Sequence, residues 1–343
     1  MNTQRIAKIL VTAMVFICVC VIKITAQHNV IESSQNENKS LIKVHSKEVL
    51  HHVSRYLTGV CIEDVNHEIY GGLFSQMIFG ESFQEPAITI AGQNDGNGHI
   101  DGRISRMWHP VQRNTAEGVF TTDTIHSYIG TQSQKITFIR GQGEIGIENQ
   151  GLNRWGMYFR KEKSYEGCLC LKADLPVSIY ISLESEDGKQ VYDTIKIEVP
   201  SCNWKKFDFK MTPDQTDMKG RFVIKLKEPG SVTLGYASFQ PSEWGRYKGL
   251  AVRKDIADAL VDQGLTVLRY GGGMINSDGY LWKKMIGSRE LRNPYHGLWY
   301  EWSSNGWGII DFIDFCRAAG FLAVPAFNMN ETAQDMADFV EYV

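Results

Sequence analysis

The sequence has no charge bias and no long run of one sign, for 36 Lys and Arg stand against 39 Asp and Glu, a formal charge of -3. That balance removes the electrostatic case for nucleic acid or an anionic membrane surface as partner. Metal-type cysteine spacing is missing too. Setting aside Cys18 and Cys20, the remaining Cys61, Cys168, Cys170, Cys202 and Cys316 form an odd set in no ligand pattern. They indicate neither a zinc site nor a disulfide scaffold, and no metal is expected. Cys168 and Cys170 alternate within Cys168-Leu169-Cys170-Leu171; on a strand they share a face, where burial as small apolar side chains is the expected fate. Internal repeats and low-complexity tracts are lacking, so a repeat array is excluded.

What is present is ordinary globular composition, 43% hydrophobic and 22% charged over 343 residues, with room for two domains and no case for wholesale disorder. Aromatic residues reach 11%, which suits sugar-stacking surfaces and large cores alike. Arg5 and Lys8 precede an apolar stretch over 9–22, which closes on Ile24-Thr25-Ala26-Gln27. The run is short for a membrane span and ends on a small residue fit for cleavage. Residues 1–27 are therefore expected to be a signal peptide. The chain is expected to be exported to the periplasm or the extracellular space, with no membrane attachment once the signal is cleaved.

Residues 28–40, rich in Asn, Ser, Gln and Glu, read as a flexible leader, with structure expected from about Leu41 and N-terminal strands over 41–80. From 81 to 242 short alternating apolar runs (134–139, 168–173, 177–184, 192–199, 206–211, 221–226 and 231–239) are separated by Gly, Pro, Asp and Asn, the pattern of an antiparallel β-sandwich. After Trp244 the period changes. Leu250, Ile256, Ala259 and Leu260 fall at helical spacing before Gly264, and the apolar run 265–270 reads as a buried strand. A Gly- and aromatic-rich loop follows, then a helix carrying Ile309, Phe312, Ile313 and Cys316, stopped by Gly320, and a strand over 321–327. Thr332 and Asp335 predict a capped last helix with Met336, Ala337, Val340 and Val343 inward. Such alternation over 243–343 is the grammar of a parallel α/β barrel or doubly wound sheet. A complete barrel needs roughly 250 residues, so a partial, truncated barrel is expected.

In a barrel the active site lies at the C-terminal ends of the strands. Three stretches qualify: Glu63-Asp64-Val65-Asn66-His67, Arg269-Tyr270-Gly271-Gly272-Gly273-Met274-Ile275-Asn276, and Asn328-Met329-Asn330-Glu331. Ile62-Glu63-Asp64-Val65-Asn66-His67 with Gly71-Gly72-Leu73-Phe74, then Leu268-Arg269-Tyr270-Gly271-Gly272 with Trp282-Lys283, and Gly306-Trp307-Gly308-Ile309-Ile310-Asp311-Phe312 resemble, in order, the signatures of α-L-arabinofuranosidases of glycoside hydrolase family 51. Each motif is moderately specific, and their succession is more so.

The resemblance implies an antiparallel β-sandwich (jelly roll) of carbohydrate-binding type inserted after the first strand of a (β/α)8 TIM barrel. It implies a secreted hydrolase that releases terminal α-L-arabinofuranosyl residues from plant polysaccharides or oligosaccharides by a retaining mechanism with two glutamates and no cofactor. In the family those glutamates follow the fourth and seventh barrel strands, the first within Gly-Asn-Glu; this sequence has no Gly-Asn-Glu. No catalytic residue is named, and both are expected beyond Val343.

Glu63, Asn276, Asn328 and Trp299 are the implied substrate-binding residues: a carboxylate and two amides toward sugar hydroxyls, and an indole under a sugar face. Where the family commonly has Pro-Gly-Gly-Asn this chain has Gly271-Gly272-Gly273-Met274, so the amide register is open. Asn66 and His67 are expected to shape the turn or brace Glu63, Arg269 to pair with acids in the barrel mouth, and Glu331 to open a helix. Two further readings stand beside this one, a non-catalytic polysaccharide-binding protein and a related retaining hydrolase such as a β-xylosidase. The oligomeric state is left open.

Overall fold

The structure, a computed structural model, describes residues 41–65, 67–94, 99–299, 302 and 305–343. The expected signal peptide, the expected leader and Asn66 lie outside the described residues. The chain divides into two units, Met1–Val53 and Ser54–Val343. In the first, residues 41–53 carry neither helix nor strand, so the first regular element comes later than the start expected near Leu41. In the second, the first element is a short 3-10 turn, Arg55–Leu57.

Strand β1 (Gly59–Ile62) is the single strand among the described residues of 41–80, and it is followed by thirteen antiparallel strands before the chain returns beside it. These are β2 (Ala87–Asn94), β3 (His99–Ser105), β4 (His109–Asn114), β5 (Glu117–Asp123), β6 (Ser133–Arg140), β7 (Gly143–Asn149), β8 (Met157–Phe159), β9 (Tyr165–Ala173), β10 (Val177–Glu184), β11 (Val191–Val199), β12 (Cys202–Met211), β13 (Asp217–Leu226) and β14 (Gly230–Pro241). They form two facing sheets, β11-β10-β13-β7-β4 with β8 also on β13, and β12-β9-β14-β6-β5, while β2 and β3 pair as a hairpin. The alternation read in the sequence is what fills the space between the sheets. Ile179, Ile181 and Leu183 of β10 meet Leu169 and Leu171 of β9, all fully buried. Phe209, Phe222, Phe239 and Tyr165 stack through the centre, with Phe222 and Phe239 centroids 5.0 Å apart.

The sandwich reaches further toward the N-terminus than residue 81. Ile78 is buried in its core, and the Met77 N–H donates to Phe239 O at 2.8 Å. Cys168 and Cys170 share one face, buried with Ile129 and Tyr236, as their alternation requires.

After β14 come helix α1 (Lys254–Asp262), β15 (Val267–Tyr270), α2 (Ile309–Ala319), β16 (Leu322–Pro325) and α3 (Ala333–Tyr342). β1, β15 and β16 make a parallel three-stranded sheet in that order, with Ile62, Tyr270 and Pro325 in register. Return to a neighbouring parallel strand needs a helical crossover, and α2 supplies it between β15 and β16. Gly320 stops α2 in the left-handed region at φ 81°. Thr332 and Asp335 form the expected reciprocal cap on α3.

Two helix faces differ from expectation. In α1 the buried alanine is Ala257 while Ala259 is exposed. In α3 Val340 is 76% exposed and Phe339 is buried instead. The reason is aromatic docking: Phe339 meets Trp282 and Phe327, and Tyr342, one turn on, reaches Trp282. A phenylalanine buries more area than a valine, so the helix rotates to seat it.

One face of the parallel sheet, with Ile62, Leu268 and Tyr270, packs into a second core beside Phe312, Phe315 and Trp307. The opposite face leaves Cys61, Arg269, Leu322 and Val324 exposed.

Candidate functional site

Because β1, β15 and β16 are parallel and in register, their C-terminal ends converge, bringing together Glu63, the loop 271–277 and Asn328. The Glu63 backbone N–H donates to a Glu68 carboxylate oxygen at 2.9 Å. Its side chain lies across the glycine loop, where the Gly273 N–H donates to Oε2 at 3.3 Å. Gly272 has φ +91°, and a Cβ there would overlap the Glu63 carboxylate. The second glycine of the loop is therefore required both by backbone conformation and by the seat it leaves for Glu63.

Trp299 is 48% exposed and lies over the same loop, its indole 3.3 Å from where a Cβ on Gly273 would stand. A carboxylate and an exposed indole thus flank one glycine, an arrangement suited to a polyol ring. Asn276 is exposed at the end of the 3-10 turn Gly273–Asn276. Asn328 is buried, and its amide is engaged at both ends: Nδ2 donates to Ser277 O at 2.8 Å, and Oδ1 accepts from the Asn330 N–H at 2.8 Å. It ties the strand end of β16 to the loop that carries Asn276. The four sequence-derived residues gather around one loop, with Glu63 and Trp299 in closest association.

Ion pairs and hydrogen bonds tie together segments that follow the loop. Asp311 accepts from the N–H of Gly308 at 3.1 Å and from Arg292 at 2.8 Å, and it pairs with Arg289 as well. Arg292, 7% exposed, also donates to Gly287 O and Asn305 O. The motif aspartate is thus an anchor for Arg289, Arg292 and Gly308, and Gly308 is required because a Cβ would strike Met285. Glu331 stands before the cap of α3 and accepts from the Trp282 N–H at 2.7 Å, with burial raising its pKa. Arg269 is exposed and donates to Cys61 Sγ at 2.9 Å. No acid pairs with it among the described residues, because the register sets it opposite Cys61 rather than a carboxylate.

Sequence reasoning passed over Asp64. It is 5% exposed; burial drives its pKa well above the usual range, and the charges of Glu81 and Glu68 push it the same way against a backbone hydrogen bond from Tyr70. Its Oδ1 has no partner among the described residues. Burial in that position favours the neutral form of the carboxyl over the charged one, and adjacency to Glu63 within the motif is the signal that could have drawn notice. His67, in the left-handed region at φ 66°, turns the chain, and its Nε2 stands 3.2 Å from Asn153 Nδ2 of the sandwich. No sequence signal links residues 86 positions apart.

Comparison with known proteins bears on the family resemblance. Residues 259–343 match the family model described as the alpha-L-arabinofuranosidase 1 domain. Alpha-L-arabinofuranosidase 1 of Arabidopsis thaliana is 23% identical over 289 residues, which cover 79% of this chain and 40% of the relative. The extracellular exo-alpha-L-arabinofuranosidase of Streptomyces chartreusis is 20% identical, covering 78% of this chain and 32% of that protein. An arabinose-bound family 51 α-L-arabinofuranosidase structure superimposes with a TM-score of 0.69 at 20% identity, over 86% of this chain and 49% of that one. The chain therefore spans about two fifths of the length of its Arabidopsis relative, and the family resemblance read from the motifs is borne out.

Proposed function

We propose, on the premise that this chain is a family 51 α-L-arabinofuranosidase sequence, that the protein releases terminal non-reducing α-L-arabinofuranosyl residues from arabinan- and arabinoxylan-type polysaccharides after export from the cell. The observation that carries the reading is the convergence of Glu63, the loop 271–277 and Trp299 at the C-terminal ends of three in-register parallel strands, where barrel enzymes keep their sites. The open sheet face at Cys61, Arg269, Leu322 and Val324 fits a (β/α)8 barrel whose other strands follow. The export reading rests on the N-terminal signal pattern, and the Streptomyces relative is named as extracellular.

In this reading Glu63 accepts hydrogen bonds from arabinofuranose hydroxyls, Asn276 and Asn328 present or position amides, and Trp299 underlies a ring face. The bond-breaking pair is two further glutamates, about 5 to 5.5 Å apart in a retaining enzyme, one protonating the leaving oxygen and the other attacking the anomeric carbon. Acetal cleavage by this route needs a proton donor and a carboxylate and no cofactor.

The test is turnover of 4-nitrophenyl α-L-arabinofuranoside and 4-nitrophenyl β-D-xyloside by the full-length gene product. A kcat/KM at least a hundredfold higher on the arabinofuranoside is expected. Equal or greater turnover of the xyloside makes the protein a β-xylosidase. Turnover of neither, with retention by polysaccharide in affinity gels, makes it a binding protein.

A further inference from the structure

Beside the Glu63 site is a recess of about 270 Å3 whose polar and aromatic lining includes His67, Glu85, Arg106, Asn153, Trp299 and Trp302. Its volume lies just under the range of about 300 to 1,000 Å3 for a drug-sized ligand, a size for one sugar residue rather than a long chain. Trp299 belongs to both places: it lies over Gly273, whose N–H binds Glu63, and it walls the recess. The two spaces are therefore contiguous across one indole.

The far wall comes from the sandwich. The connection between β7 and β8 turns through four residues of positive φ, Gly151, Asn153, Arg154 and Gly156, at 70°, 51°, 55° and 93°. Two of these are not glycine, a conformation that costs of order 1–3 kcal/mol each and persists where the surroundings enforce it. The loop is held toward the β1 end of the site by Asn153 beside His67 and by Trp155, whose ring meets His67 edge-on at 5.5 Å. Glu85 is 4% exposed and accepts from Ser105 Oγ at 3.2 Å, and Trp302 keeps a buried indole N–H with no partner among the described residues. Amide, carboxyl, guanidinium and two indoles around a small recess are the groups that recognise a neutral polyol. Burial raises the Glu85 carboxyl to about 7, so near neutrality a large fraction of it can donate to a hydroxyl.

We infer that this recess seats the sugar on the leaving-group side of the scissile bond, so that the sandwich supplies one wall of the substrate cleft and reads what the arabinofuranosyl unit is attached to. The inference rests on the proposed function. Its test compares α-1,5-arabinotriose with 4-nitrophenyl α-L-arabinofuranoside in the full-length gene product, in wild type, Asn153→Gly and Trp302→Ala. Glycine keeps the left-handed backbone at 153 while deleting the amide, so loss of fold does not confound it. The ratio of kcat/KM on arabinotriose to kcat/KM on the aryl glycoside should fall at least tenfold in each variant. A ratio within threefold of wild type in both variants overturns the inference and leaves the proposed function standing. A wild-type protein that cleaves neither substrate overturns both.

Discussion

Replacing Gly272 by alanine separates two costs that the glycine loop combines. The first is backbone: at φ 91° and ψ -147°, a conformation populated almost solely by glycine, an alanine costs on the order of 1–3 kcal/mol. The second is displacement, since the new methyl would overlap the Glu63 carboxylate and force it from the Gly273 N–H that it accepts at 3.3 Å. A hydrogen bond to a charged group is worth roughly 1.5–3 kcal/mol, so a misplaced carboxylate should lower kcat/KM about ten- to a hundredfold. Gly264 is the control. It has φ +72°, a Cβ there would meet nothing within 4 Å, and it lies at the opposite end of β15, so Gly264→Ala carries a positive-φ backbone cost with no carboxylate displaced. Thermal unfolding and kcat/KM on an aryl α-L-arabinofuranoside, measured on both variants of the full-length gene product, resolve the two. Both should lose several degrees in Tm, at roughly 2–4 °C per kcal/mol, and only Gly272→Ala should lose most of its activity. If Gly272→Ala keeps the kcat/KM of Gly264→Ala, the seat described for Glu63 is wrong.

Two predictions concern buried acids of the sandwich. Glu184 is fully buried and accepts from Lys225 at 2.8 Å, Arg221 at 2.9 Å, Arg113 and Ser182; burial pushes its pKa up, but these partners outweigh burial and hold it at about 2. Glu184→Gln leaves buried Lys225 with Glu144 alone, and should cost about 3 kcal/mol, the low end for a broken buried pair; denaturant midpoints check this, and a loss under about 1 kcal/mol counts against it. Because the folded pKa is depressed, the contribution of Glu184 is present above the unfolded carboxylate pKa and should be lost as pH falls through about 2. Glu85 runs the other way. Burial raises it to about 7, so its contribution is complete below the unfolded pKa and is lost as pH rises through about 7. Glu85→Gln should therefore gain on wild type between pH 4.5 and 8, by about 3 kcal/mol at most, and parallel pH profiles for the two would refute it.

The sandwich was legible because apolar residues recur at every second position in several of its strands, as Val177, Ile179, Ile181 and Leu183 do, and period two is the signal that a two-faced sheet leaves in a sequence. Strands β2 to β5 were not read. Their stretches include Gly92, Gly102 and Gly118 and much polar sequence, and side-chain amides help to hold them, as where Gln93 accepts from the Phe120 N–H and Gln134 from the Ser105 N–H. The barrel-like crossover was legible from helix stops and caps, whereas the face of α3 was not, because Trp282, 57 positions before Phe339, decides it. At the site, Glu63 and Trp299 could be located by motif; the seat of Glu63 on the glycine loop and the sandwich wall at Asn153 depend on contacts across 210 and 86 positions.

The role given to Glu63 is tested most directly by kcat/KM for an aryl α-L-arabinofuranoside in the full-length gene product carrying Glu63→Gln, with and without azide. Glu63 contacts the sugar and not the scissile bond in this account, so the loss should be about ten- to a hundredfold, the worth of one charge-assisted hydrogen bond, and azide should restore nothing. A loss of many thousandfold that azide rescues would make Glu63 a catalytic carboxylate and contradict the account.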